Sequence, residues 1–256
     1  MKEFLRRQYR EISAYGQAVL KNPKQPEHQF VVFFRPRAGS NLLIDLISSH
    51  PDVFCDDEIF GLKYSGKVTY PNLYRKGRWL LGAGKTCYGY KISYYQITKQ
   101  GFDPKTYLQE LHKQNRKIIY VERLNILRQA VSFLVAQQRS EWIGRADNQL
   151  RYKARIDCTA LIAEMERIER SVHLEKKLLS PFPHLHLIYE QDLLISDKHQ
   201  ATCNRIFNFL ALDSSEVKTQ RVKTSKSNDL TDIISNYEDV KREVGGTRFA
   251  CFLTQP

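Results

Sequence analysis

Glycine and proline are sparse, 12 and 9 in 256 residues, which excludes collagen-like and linker-dominated chains. No apolar run approaches the roughly 20 residues that span a bilayer. The opening MKEFLRRQYREISAYGQAV carries no signal-type apolar segment, so a cytoplasmic protein without a transmembrane segment is expected. The cysteines, Cys55, Cys87, Cys158, Cys203 and Cys251, are odd in number, far apart and never in a CxxC pair. Neither a disulfide framework nor a structural zinc site is expected. The histidines are scattered, and His184 with His186 has the spacing of one strand face rather than of a metal site; no metal is expected. Acidic residues are the minority charge, 28 against 40 Lys and Arg, a net +12. That excess implies an anionic partner without saying whether it is nucleic acid, a membrane surface or a small phosphorylated ligand.

What is present is the composition of a soluble globular chain, 42% hydrophobic and 27% charged. Residues 2 to 20 carry Phe4, Leu5, Tyr9, Ile12, Tyr15 and Val19 at helical spacing with basic residues between, which predicts a surface helix; Glu3 and Glu11 interrupt its basic face and count against a membrane role. Residues 22 to 29, with Pro23 and Pro26, read as a linker. The continuous apolar run Phe30–Phe34 reads as a strand buried on both faces. Small, turn-forming residues 35 to 41 follow, and then a helix marked by Leu42, Leu43, Leu46 and Ile47. A second strand over 117 to 121 follows a helix (Tyr107 to Gln114) and precedes another (Ile126 to Arg139). A third strand, 185 to 189, follows a long helix from about Leu150 to Leu179. Strands alternating with helices predict an α/β fold, one domain with a mainly parallel central sheet flanked by helices. The division is an N-terminal helix and linker, 1–27, and a domain over 28–256.

Two stretches compete as phosphate loops. Gly82-Ala83-Gly84-Lys85-Thr86 ends like a Walker A loop, but Trp79 stands where that motif needs its first glycine, and no clean buried strand precedes it. Arg37-Ala38-Gly39-Ser40-Asn41 sits directly between a buried strand and a helix start. There Gly39 lets backbone amides approach an anion and Arg37 adds a fixed charge. Arg123 ends the second strand, with Ser132 nine residues on in the next helix, a second anion clamp at the sheet edge where open α/β folds bind ligands.

The segments FFRPRAGSNLL, HPDVFCDDEIF, YVERLNILRQAVS, IYEQDLL, ISNYEDV and GTRFACFL, in that order over residues 28 to 255, resemble the sulfotransferases that use 3′-phosphoadenosine 5′-phosphosulfate (PAPS). The match is nearest to the bacterial carbohydrate branch that includes trehalose and nodulation-factor enzymes. The resemblance implies a P-loop-like nucleotide-binding fold. It also implies that Arg37, Ala38, Gly39, Ser40 and Asn41 hold the 5′-phosphosulfate, and Arg123 and Ser132 the 3′-phosphate. Asn41 departs from the usual Thr or Ser. Ser93 stands where aryl and steroid sulfotransferases carry a histidine base, whereas Glu58 matches the base of the carbohydrate branch. Lys91, with Arg37, would face the bridging oxygen, and Lys223 and Lys226 in the basic stretch 221 to 226 would close over the nucleotide.

Sulfuryl transfer to a hydroxyl is a nearly in-line displacement that needs positioning and charge stabilisation. Glu58 is the expected general base, with Asp56 and Asp57 as competing carboxylates that would raise its proton affinity. The expected acceptor is a small hydroxyl compound, a carbohydrate or glycolipid, with no nucleic acid and a possible homo-oligomer. Acceptor contacts are sought among Tyr64, Tyr70, Tyr74, Trp79, Tyr94 and Tyr95, in and beside an irregular stretch from Gly61 to Gly84. Glu190 is read as structural. Two rivals remain open: a kinase-like phosphotransferase built on Gly82 to Thr86, and a non-catalytic basic module binding nucleotide or nucleic acid.

Overall fold

A computed structural model describes residues 2–61, 67–82, 84–139, 153–219 and 229–255. In chain order the elements are α1 (Lys2–Leu20), β1 (His28–Phe34), α2 (Ser40–Ser48), β2 (Val53–Asp56), α3 (Pro71–Trp79), β3 (Cys87–Ile92), α4 (Tyr94–Lys99), α5 (Pro104–Lys113), β4 (Lys117–Glu122), α6 (Ile126–Arg139), α7 (Cys158–Leu179), β5 (His184–Ile188), α8 (His199–Phe209), α9 (Leu230–Ile233) and α10 (Tyr237–Gly245). The strands form one sheet in the order β2-β3-β1-β4-β5, and every pairing is parallel. The mainly parallel sheet read from the sequence is thus, among the described residues, wholly parallel.

β1 lies at the centre, and its unbroken apolar run follows from that place. Val31 and Phe33 point into one apolar layer with Tyr90, Ile92 and Leu108. Phe30, Val32 and Phe34 point into the opposite layer with Leu43, Ile47 and Phe207. A third apolar cluster joins α6, α7 and α10 through Leu127, Val131, Met165, Ile168, Val240 and Val244. The chain leaves β1 towards β2 and β3 on one side and reaches β4 and β5 on the other. The order therefore reverses beside β1, and a parallel sheet opens its ligand crevice at the carboxyl ends flanking such a reversal.

Three expectations need correction. α7 begins at Cys158, not near Leu150, because the Asp157 carboxylate caps it by accepting from the Ala160 N–H at 2.9 Å; residues 153–157 are not helical, and Ala154 bridges to Ile234. The stretch from Gly61 to Gly84 is not irregular throughout. It contains α3, started by Pro71 in its first turn and packed on α1. A Cβ on Gly77 would overlap the Ala14 carbonyl, so the close approach of the two helices requires glycine there. The helix expected over 107 to 114 runs from Pro104 to Lys113, because Asp103 caps it with Pro104 following. No helix among the described residues is long and apolar enough to cross a membrane.

Candidate active site

The loop after β1 turns on two left-handed residues, Arg37 at φ 67° and Gly39 at φ 90°. Gly39 is the N-cap of α2 and offers no side chain to its amides, so the first-turn N–H groups and the positive end of the helix dipole remain for an anion. A Cβ on Gly39 would lie 2.5 Å from Tyr189 Cδ2. Glycine is therefore required twice over, for its φ and for the closeness of the Tyr189 ring. Ala38 and Ser40 are buried beneath the turn.

The two candidate anion clamps meet. Arg123, at the end of β4, donates from Nη1 to the Arg37 carbonyl at 3.3 Å, and Arg37 Nε donates to Ser132 Oγ at 2.9 Å. The Arg123 guanidinium lies over the Tyr189 ring, 4.9 Å from its centroid. Its Nε is buried without a hydrogen-bond partner, with Glu190 Oε1 3.8 Å away. Burial, together with Arg123 beside it, pulls the Arg37 pKa below the ordinary arginine value; burial does the same to Arg123. Two desolvated cations held side by side, one with an unused donor, are stabilised by an incoming anion. Glu190 has a structural task, as expected: it accepts from the Leu124 and Asn125 N–H groups at 3.0 and 3.1 Å, fixing the chain between β4 and α6.

Lys91 is the bridge to the acidic segment. On β3 beside Val32, its side chain is only 2% exposed; Nζ lies 2.6 Å from Asp57 Oδ1 and 3.4 Å from Glu58 Oε1. It also donates to Asn41 Oδ1 in the first turn of α2 and sits 5.2 Å from the Phe34 ring centroid. One buried cation thus ties the candidate phosphate loop to the candidate base. Asn41, in place of the usual Thr or Ser, meets that lysine with its side-chain carbonyl oxygen.

Glu58 has a second partner that sequence reasoning missed. Gln96 Nε2 donates to Glu58 Oε2 at 2.6 Å, and Gln96 Oε1 accepts from the Ser93 N–H at 3.0 Å. Ser93, at the position of the absent histidine, caps α4. The spacing Ser93 to Gln96 is that of a capping box, a signal present in the sequence, though not its link to Glu58. Gln129 was missed too; its Nε2 donates to the Pro36 carbonyl at 2.8 Å and braces the loop from α6.

Asp56 does not compete with Glu58. Arg78 Nε and Nη2 grip it at 2.7 and 2.6 Å, with the Tyr88 hydroxyl at 3.4 Å. Its charge is neutralised by a fork that the sequence did not reveal because α3 was unread. Asp57 does reach the site, through Lys91. Of the aromatics, Tyr74 is core at 2% exposure, Tyr70 and Tyr95 are exposed, and Tyr64 lies outside the described residues, as do Lys223 and Lys226.

The rival loop lies at the wrong end of a strand. Residues 84–86 lead into β3, and Lys85 donates to the Pro51 carbonyl, whereas a Walker loop leaves a strand to open a helix. His186 pairs with Glu122 at 2.9 Å, and the described residues hold no group of three or more His, Cys, Asp or Glu that could take a metal ion.

No family model and no curated protein sequence matches the chain. Among solved structures it is similar to a sulfotransferase from Alicyclobacillus acidocaldarius, with a TM-score of 0.54 and 15% identity over 87% of this chain and 95% of that one. It also matches mouse sulfotransferase SULT7A1 complexed with PAP, with a TM-score of 0.47 and 13% identity over 94% and 93%. The second likeness is too low to carry an argument; the first shows the fold. The chain has the single-domain α/β fold of a sulfotransferase, a five-stranded parallel sheet flanked by helices.

Proposed function

We propose that the protein is a PAPS-dependent O-sulfotransferase that acts on a hydroxyl of a carbohydrate or glycolipid. The observation that carries this reading is the meeting of Arg37, Ser132 and Arg123 at the reversal point of this fold, with Glu58 one lysine away. The orphaned Arg123 Nε and the uncapped start of α2 suit a donor with two separate anionic groups, and no metal is called for where two guanidinium groups already meet the charge.

In this reading the 5′-phosphosulfate lies along Arg37 to Asn41 and the 3′-phosphate on Arg123 and Ser132. The acceptor oxygen attacks sulfur in line, the bond from sulfur to the bridging phosphate oxygen breaks, and adenosine 3′,5′-bisphosphate leaves. The acceptor proton passes to Glu58, a contribution on the order of 10²- to 10⁴-fold for a well-placed base. Arg37 and Lys91 meet the charge that grows on the bridging oxygen. Lys91 also neutralises Asp57, and Gln96 turns the Glu58 carboxylate.

Incubation with sulfur-radiolabelled PAPS and a panel of sugars, glycolipids and phenols tests it. Label on a sugar hydroxyl, lost in Glu58→Gln, supports the reading; label on phenols alone moves the acceptor class, and no transfer to any of them removes the reaction.

A further inference from the structure

We propose that the outward face of α1 docks on an anionic phospholipid surface. The inference is independent of the sulfuryl-transfer reading. α1 packs inward through Ala14 and Ala18, which are buried. Its outward side carries Leu5, Tyr9, Ile12, Val19 and Leu20, all 56–86% exposed. Those positions advance by threes and fours through Gly16, where an added Cβ would meet nothing, and so form one continuous stripe. Five large apolar side chains turned to water along one helix constitute a surface awaiting a partner.

The charge decides which partner. The sequence set Glu3 and Glu11 against a membrane role, but the structure removes Glu11 from the outer face: its carboxylate accepts from the Tyr15 hydroxyl and, at 2.9 Å, from the Thr69 N–H. Tyr15 in turn accepts from the Tyr70 N–H at 2.8 Å, so both polar side chains serve the join between α1 and the segment leading to α3. The sequence of the helix carries four basic residues, Lys2, Arg6, Arg7 and Arg10, against Glu3 and Glu11, and exposed Lys21 and Lys24 follow it. An exposed apolar stripe on a helix of net positive charge, followed by exposed lysines, is the pattern of an interfacial helix, its stripe among acyl chains and the basic segment drawn to anionic headgroups. A second copy meeting through the same stripe would bring two net basic segments together, and a nucleic acid would leave the apolar side chains in water.

The test is sedimentation of the full chain with vesicles of phosphatidylcholine, with and without phosphatidylserine. The native protein is expected to bind the phosphatidylserine vesicles about ten-fold or more tightly than phosphatidylcholine alone, less so with added salt. The double variant Tyr9→Ser with Ile12→Ser, both sites exposed, is expected to melt like the native chain by circular dichroism and to lose that binding. No binding, equal binding to both vesicles, or unchanged binding by the double variant overturns the proposal. So does a solution dimer that the double variant dissolves, which would assign the face to a second copy.

Discussion

The Gln96 side-chain amide lies between Glu58 and Ser93, donating to the first at 2.6 Å and accepting from the backbone of the second at 3.0 Å. The Ser93 N–H demands the amide oxygen, so the NH₂ must face the carboxylate; the cap of α4 thereby sets the rotamer of the candidate base. Gln96→Leu is expected to lower kcat about ten-fold or more with nucleotide affinity retained. Gln96→Glu sets a like charge against Glu58, so the acid limb of the activity profile is expected to move to higher pH. A pH–rate series on the three proteins checks both, and superimposed profiles with equal kcat would remove Gln96 from the mechanism.

Gly39→Ala is expected to destabilise the fold by about 1–3 kcal/mol, because the new Cβ must occupy a left-handed conformation and displace the Tyr189 ring. Thermal melting reads the loss. Since Tyr189 also underlies Arg123, the response to adenosine 3′,5′-bisphosphate should fall with it.

Arg35, at the exit from β1, is paired with Glu175 of α7 and donates to the Tyr120 hydroxyl at 3.0 Å, all three buried. Glu175→Ala leaves a buried guanidinium unpaired and is expected to cost about 3–5 kcal/mol, read by urea unfolding. A cost under about 1 kcal/mol would mean that water reaches Arg35.

Glu122 gives a pH dependence. Burial pushes its carboxyl up, but the close approach of His186 and Lys176, 2.9 and 2.8 Å from its two oxygens, outweighs burial and holds it below the ordinary glutamate value. A carboxyl whose folded pKa is depressed adds stability that is present above its unfolded pKa and is lost as pH falls through the folded one. Melting temperature is expected to drop in the acid range for the native chain and to drop less steeply for Glu122→Gln; identical slopes would contradict this.

Much of the local structure around the candidate phosphate loop was legible because its signals are local. An apolar run, a glycine turn and an apolar stripe occupy consecutive residues from Phe30 to Ile47, and Arg123 follows its strand directly. The rest depends on residues brought together by folding. Gln96 stands 38 residues from Glu58 and Gln129 stands 93 from Pro36, and a glutamine on a helix says nothing about what it will meet. Arg78 neutralises Asp56 from α3, a helix whose aromatic and basic residues and mid-helix Gly77 hid its period; only its contact with Ala14 explains the glycine. Glu11 read as an interruption of a basic face because sequence gives a position on a helix wheel, whereas the Thr69 and Tyr15 contacts fix where the carboxylate turns.

Titration calorimetry with adenosine 3′,5′-bisphosphate tests the central claim most directly. The account predicts binding by the native protein, binding weaker by about ten- to a hundred-fold in Arg123→Ala, near-native affinity in Glu58→Gln and Lys85→Ala, and no comparable response to ATP. Binding of ATP in preference to the bisphosphate, abolished by Lys85→Ala and untouched by Arg123→Ala, would contradict it.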